Sequence, residues 1–218
     1  MTTAVIGLGN IGKVVARELV DGRERVVLAS RKEADAEALA EELGERAAAA
    51  TVEDALAQAD VVVLALVFET MEEFVEGHKG ALAGKVVIDP SNPVGVDEGG
   101  HMGRTLPDGV SSGSVIAGML PPGAHFVKAF GTLSAGSLAS GANREPRRAV
   151  LFYASDDDAA AAVAERLISA AGFDAVKVGG VAAALRIEVF GDLHENGGLD
   201  GRLVDRDEAE RAVAAVTA

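Results

Sequence analysis

The chain has 218 residues, of which 49% are hydrophobic, and this length accommodates one doubly wound domain with a small appendage. Its formal net charge of −14 disfavours nucleic acid and anionic membrane surfaces as partners. The absence of cysteine excludes disulfides, thiolate chemistry and cysteine-ligated metal. No apolar run approaches the roughly 18 residues of a membrane span, and no basic and apolar leader precedes the first predicted strand, so we expect a cytoplasmic protein.

The first predicted elements are a short apolar strand, Thr3 to Ile6, and an amphipathic helix, joined by a glycine-rich loop. The loop reads Gly7-Leu8-Gly9-Asn10-Ile11-Gly12. This order is typical of the dinucleotide-binding βαβ unit. Gly7 permits the tight turn, Gly9 lets the backbone approach a pyrophosphate, and Gly12 lets the helix pack closely on the strand. The pyrophosphate is then expected at the helix N-terminus, where free N–H groups favour an anion.

The end of the second predicted strand, Arg25 to Ala29, indicates which dinucleotide binds. An NAD enzyme needs a carboxylate there for the ribose 2′-hydroxyl, but this chain has Ser30 and Arg31. A hydroxyl and a guanidinium can hydrogen-bond a 2′-phosphate, so the sequence favours NADP(H) over NAD(H). The alternative is that Ser30 only caps the helix beginning near Arg31 and that Arg31 is a solvated surface residue.

The rest of the chain alternates strand-like and helix-like segments with short connections, which predicts an α/β fold. The expected architecture is a doubly wound, mostly parallel sheet, the NAD(P)-binding Rossmann fold, covered by helices on both faces. The later strands are predicted at Arg46–Ala50, Ala59–Leu66, Lys85–Asp89, His125–Phe130, Arg148–Ala154 and Asp174–Val178. Helices are predicted at Arg31–Leu43, from Thr51 onward, and from Ser155 to Gly172.

Two segments lie outside this alternation. Residues Val94 to Gly113 are rich in Gly, Ser and Asp and lack periodicity, so we expect a lid or a mobile connection. The tail from Val181 to Ala218 is predicted to be mainly helical, and about forty residues cannot hold a core of their own. We therefore divide the chain into an NADP(H)-binding Rossmann domain, residues 1–180, and a small helical C-terminal segment, residues 181–218. This segment is expected to dock on the domain or on the second subunit of a homodimer.

Six short segments together carry a resemblance to a known family. They are Gly7 to Gly12, Ser30-Arg31, Asp89-Pro90-Ser91-Asn92-Pro93, Phe126 to Leu133, Ala171 to Asp174 and Leu185 to Glu188. In this order and spacing, the chain resembles the coenzyme F420-dependent NADP oxidoreductases over nearly its whole length. The resemblance implies a Rossmann domain, a small helical C-terminal part, and a hydride passed between NADPH and the deazaflavin ring of coenzyme F420.

The resemblance also implies a set of cofactor-binding residues. By this match, Ser30 and Arg31 hold the 2′-phosphate. The segment Leu66 to Phe68 lies beside the nicotinamide ribose, and Ala129 and Phe130 form the wall against which the nicotinamide lies. The complete set is Gly7, Leu8, Gly9, Asn10, Ile11, Gly12, Ser30, Arg31, Lys32, Leu66, Val67, Phe68, Asn92, Ala129 and Phe130.

Three departures from the family pattern bear on the cofactor and on the hydride acceptor. Leu8 stands where several members have Thr, Asp35 where a second basic residue for the phosphate is expected, and Gly131 where Asn is frequent. Lys32 can take over from the missing basic residue. Gly131 is expected to widen the nicotinamide pocket, which leaves room for a different hydride partner.

No catalytic constellation stands out in the sequence, and the implied chemistry explains why. Hydride transfer to a deazaflavin needs two stacked rings at near-attack distance, and we expect a shallow cleft between Phe68, Phe130 and the tail to hold them. A carbonyl or imine reductase instead needs a general acid, for which Lys128 and His194 are the candidates. The alternatives for these two are an edge-facing or salt-bridged lysine and a solvated loop histidine.

Two other functions stay open at the level of the sequence. One is a compact NADPH-dependent carbonyl or imine reductase on the same scaffold, and the other is a non-catalytic NADP(H)-sensing module. No metal is expected, because His78, His101 and His125 have no ligand-like spacing and the aspartates at 156–158 suit the dipole of a helix start. The predicted partner is a small-molecule or deazaflavin hydride acceptor, without nucleic acid or membrane.

Overall fold

The computed structural model describes residues 1–96 and 99–215 of the chain. The strands are β1 (Thr3–Ile6), β2 (Val26–Ala29), β3 (Ala47–Ala49), β4 (Val61–Leu64), β5 (Val86–Asp89), β6 (Val94–Val96), β7 (Met102–Arg104), β8 (His125–Lys128), β9 (Val150–Ala154) and β10 (Asp174–Gly179). The α-helices are α1 (Asn10–Asp21), α2 (Glu33–Leu43), α3 (Val52–Gln58), α4 (Phe68–Gly77), α5 (Lys79–Leu82), α6 (Ser112–Met119), α7 (Ala135–Gly141), α8 (Asp158–Ala170) and α9 (Arg206–Ala214). Two 3₁₀ segments cover Gly44–Arg46 and Val181–Arg186.

Eight of these strands form one sheet in the order β10-β9-β8-β5-β4-β1-β2-β3. The strands β3, β2, β1, β4, β5 and β8 run parallel to one another. In contrast, β9 runs antiparallel to β8, and β10 runs parallel to β9. The predicted α/β fold with a mostly parallel sheet is confirmed, and its six parallel strands have the Rossmann order.

Both faces of the sheet are covered by apolar side chains. Every residue of β1 and β4 is buried, as expected of central parallel strands. Successive residues of β1 alternate between two apolar clusters, so the clusters lie on opposite faces. One cluster includes side chains of α1, α7 and α8, and the other includes side chains of α3, α4 and α6. Within the described ranges, none of the helices has the length and apolar sequence that crossing a bilayer demands.

The segment from Val94 to Gly113 is more regular than predicted. It contains a β6–β7 hairpin, in which Gly95 lies opposite Gly103, and the start of α6, which Ser111 caps. These regular elements were not expected from the sequence, because three-residue strands with a central glycine show no apolar alternation. The role of the segment as a lid or a mobile connection stays a prediction. Residues 97 and 98 of this segment lie outside the described residues.

The tail packs on the rest of the chain through a 3₁₀ segment, a run of turns and α9. Ile187, Leu193 and Leu199 share an apolar cluster with β9 and β10. Arg186 donates to two backbone carbonyls at the end of α9, which ties the two parts of the tail together. The tail is less helical than predicted, because glycine-rich turns follow the 3₁₀ segment, and residues 216–218 lie outside the described residues. The domain boundary at residue 180 stays a prediction.

Glu18 on α1 makes the stability of the fold depend on pH. Burial, followed by the charge of Asp21, raises the pKa of Glu18 from 4.5 to about 7. Because the folded pKa lies above the unfolded one, stability is fully present below pH 4.5 and is lost as the pH rises toward 7. Glu18→Gln is expected to reduce this loss by about 1 kcal/mol, a value discounted for the solvent screening of a half-exposed group. Urea unfolding of both proteins at about pH 5 and pH 8 measures the difference, and equal losses would contradict the raised pKa.

Candidate functional site

The loop after β1 has the geometry of a phosphate-binding turn. Gly7 has a φ of 93°, which favours glycine, and a Cβ on Gly12 would overlap the carbonyl oxygen of Gly7. A Cβ on Gly9 would meet no atom within 4 Å, so the loop is open where a pyrophosphate would approach. The first turn of α1 has neither a side-chain cap nor an acidic residue, which leaves its N–H groups available to an anion. The remaining loop residues are Leu8, which is buried, and Asn10 and Ile11, which begin α1.

Substitutions at Gly9 and Gly12 are expected to have different effects. Gly9→Val places a side chain in open space, so we expect NADPH affinity to fall about tenfold or more while the thermal unfolding midpoint stays nearly constant. Gly12→Ala forces the backbone apart, and we expect it to cost about 2 kcal/mol of stability. Calorimetric titration and thermal unfolding measure the two effects. Normal NADPH affinity in Gly9→Val would mean that the phosphate does not bind at this loop.

The carboxyl end of β2 presents two cations that lack partners. Arg31 and Lys32 are exposed, and in the part of the chain that the structure describes no hydrogen bond or ion pair engages either side chain. Ser30 does not cap α2, because the N-cap of that helix is Lys32. The Ser30 hydroxyl instead accepts from the Lys32 backbone N–H at 3.3 Å. The departure at Asp35 lies in the first turn of α2, where a carboxylate suits the helix dipole.

At the predicted nicotinamide end, the aromatic side chains do not line a cleft. Phe130 is fully buried in one apolar cluster, whereas Phe68 begins α4 and is buried in the cluster on the opposite face of the sheet. The prediction of a cleft between these two rings is wrong, because each ring completes a different side of the core. Ala129 is also buried and Leu66 is half-buried, whereas Val67 is 65% exposed.

Gly131 is needed for close packing and does not enlarge the site. A Cβ at this position would lie 2.6 Å from the carbonyl oxygen of Pro90 and 3.5 Å from Nδ2 of Asn92. The space of the missing side chain is therefore already filled by the segment that follows β5. The prediction that Gly131 widens the nicotinamide pocket is wrong for this reason.

Asn92 and His194 hold the loop that follows β8. Asn92 donates through Nδ2 to the carbonyl of Gly131 at 2.8 Å and accepts through Oδ1 from the Val189 N–H at 2.7 Å. His194 is buried rather than solvated, its Nε2 lies 3.1 Å from the same Gly131 carbonyl, and its Nδ1 accepts from the Asn196 N–H. This pairing assigns the neutral tautomer with the proton on Nε2. Burial lowers the pKa of His194, so the charged form that a general acid needs is disfavoured.

Lys128 is buried in an ion-paired network. Its Nζ lies 2.7 Å from Oδ2 of Asp89, 2.6 Å from the carbonyl oxygen of Ser91 and 2.8 Å from Oγ of Ser112. These three acceptors match the three N–H donors of an ammonium group. All of its donors are therefore used within the protein, which favours the salt-bridged alternative over a general acid.

Glu188 in the tail completes this network. Its Oε1 accepts from the Ser112 hydroxyl at 2.9 Å and from the Gly113 N–H at 3.0 Å, and it lies 4.0 Å from Lys128 Nζ. Its Oε2 lies 3.3 Å from both terminal nitrogens of Arg104 in the hairpin. Glu188 lies in one of the segments that carry the family resemblance, but its partners could not be predicted from the sequence, because they lie 60 to 84 residues away.

Glu195 fixes the start of α7. Its carboxylate accepts from the Ser134 backbone N–H and from the Ser137 hydroxyl. Burial by itself would raise the pKa of Glu195, but these hydrogen bonds outweigh burial and hold the pKa below its usual range. The tail thus contacts the loop between β8 and α7 at Gly131 and at Ser134. Among the described residues, no group of acidic and histidine side chains is arranged to hold a metal ion.

The fold and the open glycine loop define a dinucleotide-binding Rossmann protein. The sequence profile of the family described as NADP oxidoreductase, coenzyme F420-dependent, matches residues 2–93. A solved hypothetical protein of Sinorhizobium meliloti is 30% identical with a TM-score of 0.78, and the match covers 89% of this chain and 93% of that one. A protein of Arthrobacter sp. FB24 assigned as an F420-dependent NADP reductase is 26% identical with a TM-score of 0.71, over 84% of this chain and 87% of that one.

An imine reductase of Streptomyces aurantiacus is also similar, at 25% identity and a TM-score of 0.59. The match covers 84% of this chain but only 58% of that one. Over residues 2–93 the chain matches the coenzyme F420-dependent NADP oxidoreductase family. It is an NADP-dependent oxidoreductase, and NADP(H) is its cofactor.

Proposed function

We propose that this protein transfers a hydride between NADPH and a deazaflavin, with coenzyme F420 as co-substrate. The observation that carries the proposal is that both candidate acids are engaged within the protein, Lys128 by three acceptors and His194 through both ring nitrogens. When bound, NADPH supplies the hydride that the deazaflavin takes up at a ring carbon, and water supplies the proton that a ring nitrogen gains. The chain then has to orient the two rings, without donating a proton.

The described residues divide this task between two ends of the site. The open loop at Gly9 and the first turn of α1 would hold the pyrophosphate, and Ser30, Arg31 and Lys32 would hold the 2′-phosphate. At the other end, Asn92 and His194 act as positioning residues for the loop after β8. With the side chains of Ala129 and Phe130 buried, their backbone is what this loop offers to a nicotinamide.

A compact carbonyl or imine reductase is the second candidate, and the likeness to an imine reductase favours it. Such an enzyme must protonate the developing amine or alkoxide. Neither Lys128 nor His194 is placed to do so in this structure, and the chain spans just over half of that imine reductase. We therefore place this candidate second.

A screen of NADPH oxidation decides between these functions. The acceptors are coenzyme F420, FMN, a soluble quinone, cyclohexanone, and cyclohexanone with an amine. We expect turnover with F420 and not with the carbonyl or the imine. Turnover restricted to the carbonyl or the imine would replace the proposed function with the second candidate. The homodimer, the cytoplasmic location and the choice of F420 stay predictions.

A further inference from the structure

Five exposed apolar side chains lie at one edge of the sheet, where the parallel strands end. They are Val67, Val96, Met102, Val110 and Phe190, and we call them the apolar rim. Val67 follows β4, Val96 and Met102 belong to the hairpin after β5, and the remaining two lie in segments hydrogen-bonded to that region. Among the described residues, the one other exposed large apolar side chain is Met1. Exposed apolar side chains concentrated in this way mark a binding surface more often than scattered ones do.

One joint links the hairpin and the tail beside the rim. Arg104 at the base of the hairpin pairs with Glu188 at 3.3 Å, and Asn92, three residues after β5, accepts from the Val189 N–H at 2.7 Å. Met102 lies two residues before Arg104, and Phe190 lies two residues after Glu188. Two residues span at most about 7 Å. The hairpin and the tail therefore each carry an exposed apolar side chain close to the joint.

The register of the hairpin shows which face carries the rim. Val94 lies opposite Arg104, and Val96 lies opposite Met102, so these four side chains share one face of the two-stranded sheet. The Arg104 side chain on this face reaches Glu188 of the tail. The other face carries Gly103, where an added Cβ would meet no atom within 4 Å.

We propose that Val96, Met102 and Phe190 bind the planar ring of the hydride acceptor, so that the β6–β7 hairpin determines acceptor specificity. This inference rests on the proposed function. The joint contacts Gly131 through Asn92, and Gly131 follows the two residues against which the nicotinamide is expected to lie. An acceptor ring must come within about 3.5 Å of the nicotinamide, which brings it to this edge of the sheet.

The size of the rim favours a small ring over a second copy of the chain. A stable protein interface buries about 800 Å² per partner and uses about 20–30 residues on each side. The rim has five side chains, and the joint separates Met102 from Phe190. The rim therefore falls well short of that number. A small-molecule site, in contrast, needs a few apolar side chains around the ligand and a small number of polar groups.

The experiment compares Met102→Gln, Val96→Thr and their double variant with Gly103→Ala, which changes the opposite face of the same hairpin. We expect the KM for F420 in NADPH-dependent reduction to rise about tenfold in the double variant. Gly103→Ala should change it less than twofold, and the Kd for NADPH should stay constant in all variants. The fluorescence anisotropy of F420 with NADP⁺ present gives a second readout, and binding should weaken by a similar factor.

The outcomes separate this inference from the proposed function. If the wild type turns over F420 and the double variant has the same KM and the same anisotropy as the wild type, the role of the rim is overturned and the proposed function stays intact. A wild-type protein that neither reduces nor binds F420 would overturn both the proposed function and the deazaflavin role of the rim. A change of sedimentation coefficient in Met102→Gln, without a change in KM, would show instead that a second copy of the chain covers the rim.

Discussion

Lys128→Met is expected to lower the free energy of unfolding by about 3–5 kcal/mol. The Lys128 side chain is 2% exposed, and its ammonium group lies between Asp89, Ser91 and Ser112. Replacing it with an apolar side chain of similar length leaves the Asp89 carboxylate buried without a counter-charge, and that uncompensated charge is the origin of the loss. Urea or guanidinium unfolding measures the change from the shift of the midpoint.

The matched control is Lys79→Met, because Lys79 pairs with Glu76 at 2.7 Å on the surface. Surface pairs contribute about 0–1 kcal/mol, so this variant should stay within about 0.5 kcal/mol of wild type. If Lys128→Met does not fold, Ser112→Ala removes one member of the network and should cost about 1–3 kcal/mol. A loss below 0.5 kcal/mol in both network variants would contradict the buried ion pair.

Lys128→Met also tests whether Lys128 takes part in the chemistry. General-acid loss reduces rates by about 10²- to 10⁴-fold. We expect the single-turnover rate of hydride transfer to F420, expressed per folded molecule, to fall by less than about tenfold. A fall of a hundredfold or more with NADPH affinity intact would return Lys128 to the role of proton donor and favour the carbonyl or imine reductase.

Arg31→Ala is expected to remove most of the preference for NADPH over NADH. A hydrogen bond to a charged group contributes about 1.5–3 kcal/mol, which corresponds to a loss of roughly 10- to 150-fold in NADPH affinity. NADH lacks the 2′-phosphate, so its affinity should change less than about twofold, and it serves as the control ligand. Calorimetric titration of both nucleotides against both proteins measures the four affinities. Equal affinities of the wild type for the two nucleotides would exclude a phosphate site at Ser30 and Arg31.

The sequence predicted the features of the fold that depend on local pattern. The glycine loop, the apolar strands β1 and β4, and the alternation of strands and helices each follow from spacing over a few residues. The hairpin was not predicted because Gly95 and Gly103 occupy the centres of its short strands. Helix α7 was not predicted because its seven residues are mainly Ala, Gly and Ser, which give a weak apolar stripe.

At its phosphate end the candidate site follows from local sequence patterns, and the binding residues named there stay predictions. Phe68 and Phe130 can face a ligand or the core, depending on the side of the sheet to which each ring points. Their positions near strand ends in the sequence do not determine this direction. The hydrogen-bonding neighbours of Lys128 and Gly131 are 16 to 63 residues away, beyond the reach of any local pattern. Both corrections to the nicotinamide end arise from such distant contacts.

The hydrogen bonds of the tail also determine when the site comes into existence during synthesis. The hydrogen bonds from the Val189 N–H to Asn92 and from Arg104 to Glu188 close chain segments of 97 and 84 residues. A ribosome exposes the glycine loop and the phosphate end long before it releases residues 188–195. The contacts that shape the nicotinamide end can therefore form only after the C-terminal segment has been synthesised.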